Sequence, residues 1–258
     1  MKVQLPKRIL ITGASNGLGA ALARHYAAPG CTLVLWGRDR QRLEAVATSC
    51  REAGAQVAIR SLDLSDSAAA IAAVKQEDDA GAIGLALLVA GMGDTRAPGD
   101  LVEDAAQVAR LGLVNFVAAA ALAAALAGRM ARRREGGIVL VGSAAGFHAL
   151  PFAAAYAGSK AGIAHFAQAL RLGVKQYGVR VTLVSPGFID TASGRKAPGP
   201  RPFELQSSDA AARIARAAAR GQAHAIFPWP FMLLRRVDRL LPRMLRDRLM
   251  LGLTPPSD

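Results

Sequence analysis

Seven short apolar runs, the helix-length segments between them and a glycine-rich turn after the first run predict an α/β fold. The expected architecture is a single Rossmann-like doubly wound domain on a seven-stranded parallel sheet. The runs are RILIT (8–12), TLVLW (32–36), AQVAI (55–59), LALLV (85–89), GIVLV (137–141), VRVTLV (179–184) and HAIF (224–227). Each is apolar almost throughout, not alternating, as burial on both faces of a parallel sheet requires. Ligands in such sheets bind beyond the carboxyl ends of the strands, so the residues after each run carry the functional signal.

The first run leads into TGASNGLG, residues 12–19, and then a helix beginning near Leu18. Gly13, Gly17 and Gly19 allow a tight turn and close backbone approach, and the helix start offers free N–H groups to a pyrophosphate. The second run ends Trp36, Gly37, Arg38. A guanidinium there suits a 2′-phosphate, which points to NADP(H), with Gly37 leaving room for it. Asp39 becomes a ribose 2′-OH partner instead, favouring NAD, if the strand register is displaced by two residues. After the third run, the Asp63 carboxylate either accepts an adenine amino group or starts a turn.

Residues 111–128, LGLVNFVAAAALAAALAG, approach membrane-span length. Ala is a weak driver of insertion and Asn115 opposes it, so a buried helix is expected. The fifth run ends in VGSAAG, which places Ser143 at the carboxyl edge of the sheet, and YAGSK (156–160) begins the next helical segment. Tyr156 and Lys160, four apart, share a helix face. Bringing a phenol from its usual pKa of about 10 toward neutrality takes roughly 4 kcal/mol, which the nearby Lys160 cation is expected to supply. Tyr156 can then exchange a proton with a carbonyl or alcohol oxygen that Ser143 holds by hydrogen bond.

With these residues in place, the chain resembles the classical short-chain dehydrogenase/reductase family over about residues 7–228. The likeness rests on TGASNGLG, LVAG (88–91), Asn115, Ser143, YAGSK and SPGFIDT (185–191). It implies a catalytic group of Asn115, Ser143, Tyr156 and Lys160, with Asn115 completing a proton relay through a water on its backbone carbonyl. It also implies coenzyme contacts from Gly13, Ser15, Asn16, Gly17, Leu18, Gly19, Arg38, Asp63, Leu64, Ala90, Gly91, Tyr156, Lys160, Pro186, Gly187, Ile189 and Thr191, and a homodimer or homotetramer. The chain departs from the family at LVAG, where Asn-Asn-Ala-Gly is usual: both amides are lost, and altered coenzyme affinity is expected.

Residues 192–208, ASGRKAPGPRPFELQSS, have the composition of a mobile connection placed to form a lid. Arg195, Lys196 and Arg201 either favour an anionic substrate or face solvent. Residues 229–258 are expected to form a basic amphipathic extension to the catalytic domain 1–228. In it Leu233, Leu234, Val237, Leu240, Leu241, Met244 and Leu245 recur at helical spacing among five arginines, and Pro242 divides the stretch. It either lies in an anionic membrane surface or packs on protein.

Composition bounds the rest. Hydrophobic residues make up 52% of 258, charged residues 20%, and mean hydropathy is +0.24, which excludes a disordered chain. The formal charge of +13 suits an anionic partner, but no nucleic-acid motif or aromatic-interleaved basic patch is present. Cys31 and Cys50 lack C-x-x-C spacing and no export h-region precedes ILITGAS, so a reduced, cytoplasmic setting is expected, with peripheral contact on the inner membrane face if the extension binds lipid. No metal site is expected. The predicted function is hydride transfer between NADP(H) and a carbonyl or secondary alcohol on a hydrophobic or lipid-like small molecule. A coenzyme-binding regulatory or interaction protein is the alternative.

Overall fold

The computed structural model describes residues 7–97, 99–196 and 199–252. Its central sheet holds β1 (Arg8–Thr12), β2 (Thr32–Gly37), β3 (Gln56–Ser61), β4 (Leu85–Leu88), β5 (Gly137–Val141), β6 (Arg180–Pro186) and β9 (His224–Phe227), in the order β3-β2-β1-β4-β5-β6-β9. Every pairing is parallel, and the expected seven strands are all present. β4 and β5 are buried at every position, whereas every residue of edge strand β3 is partly buried or exposed. That difference follows from position: inner strands are covered on both faces.

Helices α1 (Gly17–Tyr26), α2 (Arg40–Glu52) and α7 (Ser207–Ala219) cover one face, and their small apolar residues pack on Ile9, Leu33, Leu35 and Leu87. The other face carries α3 (Ser67–Ala80), the continuous helical stretch 105–133 and α6 (Ala154–Val174), over Leu10, Val34, Trp36 and Leu140. That stretch runs as α4 (Ala105–Gly112), a π-helical segment (Leu113–Ala118) and α5 (Ala119–Arg133). It is long and apolar enough to cross a membrane by length and composition, but Leu111, Asn115, Leu122, Leu126 and Met130 are built into the interior. The expectation of a buried helix is met, because its Ala-rich face sits close against α3 and α6.

Aspartates start three of these helices: Asp39, Asp66 and Asp104 accept from the N–H of Arg42 (3.0 Å), Ala69 (2.9 Å) and Gln107 (2.9 Å). No side chain caps α1. The strand order reverses between β1 and β4, so the crevice opens at their carboxyl ends, where α1 presents its uncapped N-terminus.

Of the expected lid, residues 192–196 and 199–208 are described, and they include short regular elements. A 3₁₀ turn (Gly194–Lys196) follows β7 (Ile189–Asp190), which pairs in parallel with β8 (Leu205–Gln206). The extension forms α8 (Pro230–Leu240) and α9 (Arg243–Gly252), divided at Pro242 as expected. Cys31 and Cys50 are buried and unbridged.

Candidate active site

The turn after β1 is shaped by its glycines. Gly13 has φ +69°, and a Cβ there would lie 2.9 Å from the Ala90 Cα, so the loops after β1 and β4 touch. A Cβ on Gly19 would sit 2.2 Å from the Gly13 carbonyl oxygen. Gly17, at φ +50°, lies against Thr191, where a Cβ would meet Cγ2 at 3.0 Å. The turn therefore narrows a slot between the α1 N-terminus, where Asn16 and Leu18 flank Gly17, and the segment after β6. Such a cradle fits a pyrophosphate, which needs backbone N–H groups at close range.

At the end of β2, Gly37 leaves no open space. Its missing side chain admits Ser15, whose Cβ and Oγ lie 3.2 Å from where a Cβ would be. The register is the expected one, and Asp39 is committed to α2: its carboxylate accepts from Arg42 N–H and pairs with the Arg42 guanidinium at 3.1 Å. Arg38 is exposed beside the crevice, and its charge helps hold the Asp63 carboxyl below the usual range, behind the larger effect of the Ser65 N–H. That N–H donates to Asp63 Oδ1 at 2.9 Å, so Asp63 forms a turn. Leu64 points into the core, and any coenzyme contact it makes comes from its backbone.

The four catalytic candidates come from three elements: the turn after β5, α6 and the π-helical segment. Ser143 follows β5 in extended conformation, its Oγ accepting from the Ala145 N–H at 3.1 Å and sharing a hydrogen bond with the Tyr156 phenol. Lys160, one turn along α6, is buried, with Nζ donating to the Val141 carbonyl at 3.0 Å and 5.8 Å from the Tyr156 ring centroid. Asn115 comes from the π-helical segment. Its Oδ1 accepts from Met92 N–H at 2.7 Å, and its Nδ2 donates to Met92 O at 2.9 Å and Ser159 Oγ at 3.2 Å. A side chain at Gly91 would come within 3.2 Å of both Asn115 Oδ1 and Lys160 Nζ, so glycine keeps that floor open.

Electrostatics correct one expectation. Burial raises the Tyr156 phenol above its ordinary value, with the Ser143 hydrogen bond opposing, while burial pushes Lys160 down to about 8. The lysine does not bring the phenol toward neutrality here, because desolvation penalises both charged forms. Lys160 still keeps its proton at neutral pH, and Tyr156 stays a neutral acid.

A family model described as short chain dehydrogenase matches residues 7–199. The chain belongs to this family. An uncharacterized oxidoreductase of Myxococcus xanthus is 34% identical over 245 residues, covering 92% of this chain and 94% of that one. A short-chain dehydrogenase from Sphingobium yanoikuyae, solved in complex with NADPH, superposes with a TM-score of 0.80 at 30% identity over 98% of both chains. A bulky-bulky ketone specific alcohol dehydrogenase from Comamonas testosteroni gives 0.76 at 27% identity, over 93% of this chain and 96% of that one. This short-chain dehydrogenase is thus an NAD(P)-dependent oxidoreductase interconverting CH–OH and C=O groups.

Sequence reasoning missed several supports of the short-chain dehydrogenase site. Thr12 Oγ1 accepts from the N–H groups of both Val89 and Ala90 at 3.1 Å, and Asn115 holds Met92, so LVAG is anchored without the two amides the family usually has. Pro186 ends β6, and Gly187 lies under the Phe231 ring of α8, where a Cβ would be 2.2 Å from Cε2. Ile189 packs against the core, and Thr191 Oγ1 accepts from Gly194 N–H at 2.9 Å. Buried Ser185 hydrogen-bonds His224 at 2.9 Å, and Arg235 of α8 reaches the other His224 nitrogen at 3.2 Å. The threonine closing the first run was the one readable signal. The rest are contacts between distant segments.

The loop cations do not converge as an anion site: Arg195 pairs with Asp190, and Arg201 with Glu204 at 3.0 Å. The Lys196 side chain lies outside the described residues.

Proposed function

We propose that this short-chain dehydrogenase is an NADP(H)-preferring reductase that converts a bulky, apolar ketone into a secondary alcohol. The observation that carries the reading is the division of labour after β2. Asp39 is engaged at the start of α2, which leaves Arg38, exposed and near enough to Asp63 to lower its pKa, as the charged side chain at the end of β2. An arginine there attracts a 2′-phosphate, while the carboxylate beside it, Asp39, is turned to the start of α2.

Bound NADPH would supply the hydride, held by the turn 13–19, Arg38, the Asp63–Leu64 and Ala90–Gly91 backbones, Lys160 and the segment from Pro186 to Thr191. Tyr156 gives its proton to the carbonyl oxygen as negative charge develops there. Its raised pKa suits donation, since the phenol is fully protonated at neutral pH. Ser143, fixed by the Ala145 N–H, hydrogen-bonds the same oxygen, and the Lys160 ammonium stabilises the phenolate left behind. Asn115, its backbone in the π-helical segment, carries the proton relay by which Tyr156 is recharged.

The apolar character of the substrate is supported by Phe188 and Phe231, whose rings meet at 6.3 Å in the segments after β6 and β9, and by Phe147 after β5, which packs on His224. The likeness to a bulky-ketone dehydrogenase points the same way. The test is kcat/KM for NADPH and NADH across a panel of aryl and long-chain ketones. A preference for NADPH and for the bulkier ketones is expected. Equal use of NADH, or turnover confined to small polar carbonyls, would overturn the reading.

A further inference from the structure

We propose that the outward face of α8 and α9, together with Phe203, seats the protein on an anionic membrane surface. Among the described residues, Phe231 and Arg235 hold one side of α8 to the domain. On that side the Phe231 ring covers Gly187, and Arg235 reaches His224 and stacks 4.6 Å from the Phe147 ring centroid. These contacts fix the rotation of α8, so its other side faces out as a consequence of docking. That side is apolar, and so are its flanks: Leu233 is 52% exposed and Leu240 84%, with Trp229 before the helix at 68% and Met244 in α9 at 86%. Pro228, Trp229, Pro230, Leu233 and Val237 line a groove of about 410 Å³ with Phe203 from the loop between β7 and β8, so two separate segments build one surface.

Charge decides what covers it. Residues 229–252 contain six arginines against two aspartates, on a chain of net charge +13. Arg236 and Arg243 are exposed among the apolar side chains. A second copy would bring a surface of the same sign against this one, with few acidic partners to offset it. An anionic lipid surface takes the leucines and Trp229 at its headgroup–acyl boundary and the guanidiniums at its phosphates. A groove open along one side can also receive an acyl chain.

The test is co-sedimentation of the full chain, at physiological salt, with vesicles of phosphatidylcholine alone and of phosphatidylcholine mixed with phosphatidylglycerol. It is run beside Leu233→Ser/Leu240→Ser and Arg236→Ala/Arg243→Ala. These positions are exposed, so folding and turnover of a water-soluble ketone should persist and act as controls. Binding to the anionic vesicles is expected, weakened roughly tenfold or more in each double variant. Wild-type protein left in the supernatant, or variants that pellet equally well, would sink the proposal. So would light scattering that shows a dimer lost in the leucine variant without vesicle binding, since the occupant would then be a second copy.

Discussion

Arg235 of α8 stacks over Phe147, four residues beyond Ser143, while its guanidinium hydrogen-bonds His224. The extension thereby braces the short 3₁₀ segment Ala144–Phe147 that fixes the Ser143 hydroxyl. Arg235→Ala should lower kcat roughly tenfold while coenzyme affinity stays near wild type, since a cation–π contact plus one hydrogen bond is worth about 1–2 kcal/mol. Arg235→Lys should recover part of the rate. A parallel loss of coenzyme binding and thermal stability would indicate a structural role only.

Tyr156→Phe keeps the ring and removes the acid. Turnover should fall by about 10²–10⁴-fold, the usual worth of a positioned proton donor. Coenzyme affinity, read by fluorescence titration, should change little. A variant that retains a tenth of wild-type kcat would show that another group protonates the carbonyl.

Arg38→Ala should cost NADPH about 10–100-fold in kcat/KM, matching loss of a charge-assisted contact worth roughly 1.5–3 kcal/mol. NADH should be affected less than threefold or so, because its ribose carries no phosphate. The ratio of the two coenzymes is the quantity to follow.

His224 predicts acid sensitivity. Burial, reinforced by Arg235, lowers its pKa from 6.5 to about 4. The unfolded chain therefore binds this proton first on acidification, and the stability of the neutral folded form is lost as pH falls through 6.5 toward 4. Denaturant midpoints should decline over that window in wild type and decline less in His224→Asn.

Two glycines should respond in opposite senses. Gly19→Ala drives a methyl into the Gly13 carbonyl and should abolish tight coenzyme binding. Gly128 lies within α5 with open space around its missing side chain. Gly128→Ala should stabilise the protein by about 0.5–1 kcal/mol, from the lower entropy of the unfolded chain. Thermal denaturation of both variants distinguishes a packing glycine from a dispensable one.

The sequence by itself determined the seven strands and their parallel sheet, because double-sided burial leaves the inner strands as continuous apolar runs. It also determined the pairing of Tyr156 with Lys160, since helical periodicity turns a four-residue spacing into a shared face. The glycine turn was legible for the same local reason: Gly13 and Gly17 adopt left-handed φ values that few other residues tolerate.

Only the tertiary structure decided how those parts are held and charged. Thr12 anchors Val89 and Ala90 across more than 70 positions of chain, and Ser185, His224, Arg235 and Phe147 meet from four separate elements. The protonation states of Tyr156 and Lys160 belong to this second group as well. A spacing places two titratable groups side by side, but the desolvation that raises one pKa and lowers the other is a property of everything packed around them.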